Sequence, residues 1–95
     1  MANGVREGRA LTFNISRHAL TEMERRGIAP EVLDSVLQNP QQVVPGWRET
    51  KVYQSQLAIS GRMFLVRAIV DAQANPPRVL TVYRTTKISK YWRTP

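Results

Sequence analysis

Between Ser16 and Pro40 the chain reads SRHALTEMERRGIAPEVLDSVLQNP, and its punctuation admits little besides two short helices. Ser16 offers a hydroxyl to an orphan backbone N–H at the start of the first, expected over Arg17–Arg26. Gly27 supplies the positive φ that ends it, and Arg25 and Arg26 fall in the last turn, where the helix dipole favours cations. Pro30 suits the first position of the second helix, since its missing N–H has no intrahelical partner to lose. Asn39-Pro40 stops that helix, and Val32, Leu33, Val36 and Leu37 give it one apolar stripe. On the first helix the 3.6-residue period gathers Leu20, Met23 and Gly27 on one face, with Ser16 and Ala19 at its edge. This side is expected to pack on a core. His18, Glu22 and Arg25 fall on the opposite side.

Beyond Pro40 the period changes to two. Gln42–Val44 reads as a brief strand bounded by Pro45-Gly46, and Lys51–Ile59 as a longer one ending in the turn Ser60-Gly61. Arg62–Val70 is apolar on both faces: Phe64, Val66, Ala68 and Val70 on one, Met63, Leu65 and Ile69 on the other. It is therefore expected at the centre of a sheet. Arg78–Thr85 alternates with Leu80 and Val82 on one face and Val79, Thr81, Tyr83 and Thr85 on the other. Before the helices, Arg9–Ile15 alternates enough for a short strand, and residues 1–8 are expected to be frayed. Lys87–Pro95 fits either a helical turn or an edge segment. These readings predict one α+β domain over residues 1–95, with a core from about 10 to 91. In it two N-terminal helices pack on an antiparallel sheet of about four strands.

With 95 residues there is room for one small core. No apolar run approaches a membrane span, and the polar start MANGVREGRA lacks the apolar segment of a secretory signal, so a cytoplasmic protein without membrane contact is expected. Without cysteine there is no disulfide, thiolate ligand or cysteine nucleophile, and one histidine cannot build a multi-histidine zinc site. No cofactor is expected. Fourteen Lys and Arg against 7 Asp and Glu leave a net charge of +7. Asp71 is the last acidic residue; Arg78, Arg84, Lys87, Lys90 and Arg93 follow it, interleaved with Tyr83, Tyr91 and Trp92. Such an end suits a polyanion, either RNA or an acidic protein that masks the same surface, although a merely solvated face has the same composition.

Cleavage of RNA is a reaction open to such a residue set, because the substrate brings its own nucleophile, the ribose 2′-OH. His18 is the natural acid or base, since histidine titrates near neutrality. Arg67, Arg84 and Lys87 offer contacts to phosphate, and Tyr53 or Tyr83 a surface for a base. Each has a plainer reading. His18 and Glu22 suit a solvated helix face, with Glu22 pairing Arg25 or Arg26. Arg67 can equally be salt-bridged to Asp71, Thr81 and Tyr83 are good strand formers, and Trp47 and Trp92 fit as packing.

The stretches SRHALTEMERRGI, APEVLDSVLQNP and VLTVYRTTK, with Gly61 between them, resemble an uncharacterised bacterial domain family. That family is grouped with RelE/ParE-like toxins and with metal-independent ribonucleases such as the colicin cytotoxic domains. The resemblance covers about residues 12–91. It implies the helix-and-sheet order read above, and a toxin-like endoribonuclease acting on RNA or at the ribosome, kept in check by an acidic antitoxin. The family's motif falls on His18, Arg26 and Gly27, and on Thr81, Tyr83 and Arg84. His18, Tyr83 and Arg84 are thus the expected catalytic residues, and Arg26, Arg67, Thr81 and Lys87 the expected substrate contacts. A histidine on the first helix departs from the better-known RelE pattern of several Lys and Arg with a C-terminal tyrosine. The alternative is a non-catalytic ParE-like inhibitor or a basic module binding nucleic acid or protein.

Overall fold

The computed structural model describes residues 12–94. Strand β1 (Asn14–Ile15) leads into helices α1 (Arg17–Arg26) and α2 (Pro30–Gln38). Strands β2 (Gln42–Pro45), β3 (Lys51–Ile59), β4 (Arg62–Asp71) and β5 (Arg78–Thr85) follow, and a four-residue helix α3 (Ile88–Tyr91) comes last. The sheet order is β1-β5-β4-β3-β2. The expected all-antiparallel sheet of about four strands is therefore corrected to a mixed sheet of five: β2 to β5 are antiparallel neighbours, and β1 lies parallel to β5. The two main helices are flanked by β1 before them and α3 near the other end, so the helices are not simply N-terminal. Of the strand expected over Arg9–Ile15, only Asn14–Ile15 forms among the described residues; Arg9 to Leu11, and residues 1–8 with the fraying expected of them, lie outside the described residues.

The helix boundaries follow their local chemistry. Ser16 Oγ accepts the Ala19 N–H at 3.0 Å and donates to the Leu80 carbonyl at 3.0 Å, so one hydroxyl caps α1 and ties it to β5. Gly27 ends α1 at φ 65°, a left-handed conformation that costs glycine little. Ser60 and Gly61 both take positive φ, the two-residue turn that matches strand twist between β3 and β4.

Ala19, Met23, Ile28, Leu33, Val36 and Leu37 from the helices bury against Val66, Ala68, Val70, Val79 and Val82 of the sheet. The expected phase of α1 was rotated: Leu20 is 55% exposed and Glu22 only 8%, so the buried stripe runs through Ala19, Glu22 and Met23. β4 is central, as its two apolar faces predicted. Strict alternation fails in β5. Ile69 pairs with Thr81 but Val70 with Val79, leaving Leu80 as an extra residue in a bulge. Val79 and Val82 consequently both reach the core, instead of lying on opposite faces.

Candidate functional site

The bulge and the register decide where the chemistry goes. Across the sheet Gln42 pairs with Gln54, Gln54 with Arg67, and Arg67 with Tyr83. These four side chains form one polar row on the sheet face turned away from α1 and α2, because the neighbouring Val66, Ala68 and Val82 point to the helices. Gln54 is completely buried. Its Oε1 accepts Arg67 Nε–H at 2.8 Å, and its Nε2 donates to Gln42 Oε1 at 2.8 Å and more weakly to the Tyr91 carbonyl at 3.4 Å. Arg67 Nη1 donates to the Tyr83 hydroxyl.

The C-terminal segment docks on the same row. Gln42 Nε2 donates to the Arg93 carbonyl, and the Arg93 N–H donates to Gln42 Oε1 at 3.1 Å. This brings the Tyr91 ring over Arg67, whose guanidinium carbon sits 4.2 Å from the ring centroid and 5.7 Å from that of Tyr83. The two tyrosines meet edge to face at 6.4 Å. Thr81 and Thr85 share the parity of Tyr83 on this face, and Lys87 follows at the start of α3, its N–H donating to Thr85 Oγ1 at 3.0 Å.

Arg67 is therefore a half-buried cation held by an amide oxygen, a phenol and two aromatic rings. The expected alternative partner, Asp71, does not meet it: its carboxylate accepts the Gln73 N–H at 3.0 Å instead. Among the described residues no carboxylate reaches Arg67. A partly desolvated guanidinium is costly unless paired, and neutral partners leave its charge uncompensated. Such a group is suited to an anion from outside the chain.

The other expected site residues lie on the opposite side of the sheet. Arg84 pairs with Val66 and points to the helix side, its guanidinium carbon 4.5 Å from the Phe64 centroid. It lines a cleft with Arg26 and Gly27. His18 is exposed in the first turn of α1. Eight residues of helix, about 12 Å of axis, separate it from Arg26. Both His18 and Arg84 are divided by the sheet from Arg67 and Tyr83, so the seven expected residues do not converge on one centre. Thr81, Tyr83 and Arg67 share the open face, with Lys87 exposed just beyond the end of β5; Arg26 and Arg84 share the helix-side cleft; His18 lies apart from both, at the other end of α1 from Arg26.

Glu22 is the residue whose titration the fold alters. It accepts Arg26 Nε–H at 2.9 Å and Arg25 Nη1–H at 3.1 Å. The hydrogen bond from Arg26 holds its pKa below the usual carboxylate range, assisted by the charges of Arg25 and His18 and opposed by partial desolvation. Two arginines of α1 are thus occupied by one carboxylate. Tyr53, a possible surface for a base, is instead packed edge to face on Phe13 at 5.8 Å beside the core. Trp47, expected as packing, is 67% exposed beneath the Arg48 guanidinium.

Gln42, Gln54 and Tyr91 belong to the site and were absent from the sequence-based set. The alternation of β3 places a glutamine in its middle, and that polar interruption of an otherwise core-forming strand was the available signal. No three His, Asp or Glu side chains gather as metal ligands would among the described residues. No helix among them is long and apolar enough to cross a membrane.

Residues 15–84, the greater part of the chain, match a family model described as a domain of unknown function, DUF4258. The chain belongs to this family. Searches among curated proteins and among solved structures found no match.

Proposed function

We infer that this DUF4258 protein binds RNA on the open face of its sheet, with Arg67 gripping a phosphate and Tyr91 or Tyr83 receiving a base. The observation that carries the reading is the Arg67 guanidinium, half-buried between two tyrosines with no carboxylate among the described residues. Guanidinium forks match phosphate geometry, and aromatic rings stack on unpaired bases at about 1–3 kcal/mol each. Thr81, Lys87 and the basic end of the chain extend the face along a strand of nucleotides. A cytoplasmic toxin-like role, in which an acidic antitoxin covers the same face, fits this charge and the RelE/ParE-like resemblance.

Metal-independent endoribonuclease activity is the second reading, favoured by the Arg67–Tyr83 hydrogen bond. It sets a cation beside a phenolic proton, so a phosphorane could be stabilised and the leaving 5′-oxygen protonated at one place. The 2′-OH would still need a proton acceptor, which His18 cannot supply from across the sheet.

The test is fluorescence anisotropy of a labelled single-stranded RNA, with its length checked in chelator after incubation. Arg67→Lys and Tyr83→Phe are expected to weaken binding about tenfold, the scale of one charge-assisted contact, with a steep salt dependence. His18→Ala should bind as wild type. Unaltered binding by both open-face variants would sink the reading. Cleavage lost in Tyr83→Phe but kept in His18→Ala would make the face catalytic; cleavage lost in His18→Ala would move the centre to the helix side.

A further inference from the structure

Behind the sheet, where the end of α1 meets the end of β5, lies a cleft of about 650 Å³. Arg25, Arg26 and Arg84 are among its lining residues, with Thr85 and Thr86 beside them and Glu24 as the one carboxylate-bearing residue in the lining. Arg25 and Arg26 are already engaged by Glu22. The Arg84 guanidinium is not: it rests on Phe64 and makes no hydrogen bond or ion pair with any described residue. Its plainest role would be to satisfy the carbonyls at the C-terminal end of α1, where a cation is favoured. The head does lie there, since a Cβ on Gly27 would come within 3.9 Å of its Nη2. Yet the Met23 and Glu24 carbonyls take the Ile28 and Gly27 N–H groups rather than the guanidinium. Arg84 is thus positioned by a ring and a helix end, with its donors uncommitted among the described residues.

We propose that this cleft is an anion site for a phosphate group, carried by a free nucleotide or by an RNA strand. Arg84 supplies the fork, Arg26 the second positive charge, and the hydroxyl of Thr86 a neutral donor. A phosphate suits the site because its tetrahedral oxygens can accept the parallel donors of the Arg84 fork and still reach Arg26 and Thr86, and the three arginines outnumber Glu22 and Glu24 beside them. The site lies on the opposite side of the sheet from Arg67 and stands without the RNA reading of that face.

Amide chemical shifts of the full chain, titrated with inorganic phosphate, adenosine and adenosine monophosphate, test it. Phosphate and the monophosphate are expected to give saturating shifts at Gly27, Arg84 and Thr86, and adenosine none. Arg84→Met keeps an apolar stem on Phe64 while removing the charge, and should weaken binding at least about tenfold. Arg26→Met, which leaves Glu22 its bond to Arg25, should weaken it severalfold and serves if the first variant does not fold. Arg67→Lys should leave these shifts in place. Displacement of the monophosphate by a short RNA would assign the site to a strand; failure to displace it, to a free nucleotide. Shifts that never saturate and spread over all basic residues overturn the proposal. So does binding unchanged in Arg84→Met, or a glutamate-rich peptide that shifts Gly27 and Arg84 where phosphate does not.

Discussion

Replacing Arg67 by methionine keeps a flexible apolar stem in the middle of β4 but removes the charge, the bond to the buried Gln54 and the bond to Tyr83. Tyr83 is a half-buried residue, so its hydroxyl can turn to water. Gln54 Oε1 cannot, because its side chain is completely buried. An orphaned buried acceptor costs about 1–3 kcal/mol, so Arg67→Met is expected to destabilise by about 2 kcal/mol. Gln54→Met strands the Arg67 Nε–H instead and also breaks the contacts to Gln42 and Tyr91, costing about 2–3 kcal/mol. Both changes together leave no orphan at their shared bond. The double variant should therefore fall short of the summed losses by about 1.5–2 kcal/mol, the size of one charge-assisted hydrogen bond. Urea denaturation of the four proteins measures this directly. In thermal melts Arg67→Met should lie roughly 8–16 °C below wild type for a domain of this size. If the two losses add within about 0.5 kcal/mol, the side chains are not energetically coupled and the polar row is not what holds the open face together.

Ser16→Ala removes an N-cap and the tie to Leu80 at once, and is expected to cost about 1–2 kcal/mol by denaturant titration. Glu22→Gln bears on pH. Because the folded state holds the Glu22 carboxyl below its ordinary pKa, its contribution is present at neutral pH and is lost as pH falls through the folded value. Wild type should therefore lose stability more steeply than Glu22→Gln on acidification below about pH 4, near the ordinary glutamate value, and parallel curves there would refute it.

The element boundaries were legible because each is marked by a residue with one backbone use: Ser16, Gly27, Pro30, Ser60-Gly61. The phase of α1 was not. With Ala19, Leu20 and Met23 as its apolar residues, two faces are almost equally plausible, and the Glu22 ion pairs with Arg25 and Arg26 tip the choice toward burying Glu22. A strand before the helices was expected, but not its parallel place beside β5, because that partner lies more than sixty residues away and the two pair over only two positions. The site residues were found singly rather than as a site. Arg67 stood out as a charge in an apolar strand, but its partners arrive by cross-strand register and by the docking of Tyr91 and Arg93. Neither is written in local periodicity.

One backbone irregularity decides which chemistry each side of β5 presents. Were the strand to alternate strictly from Val79 onward, with Leu80 paired instead of bulged, every side chain from Thr81 on would exchange sides: Tyr83 would turn to the helices and Arg84 to the open face, with no change of sequence. Removing Leu80 altogether has the opposite effect, since Thr81 then follows Val79 in plain alternation and Tyr83 and Arg84 keep their present sides. A DUF4258 relative one residue shorter here can thus keep the same two surfaces without a bulge, whereas one of equal length keeps them only if it bulges as this chain does.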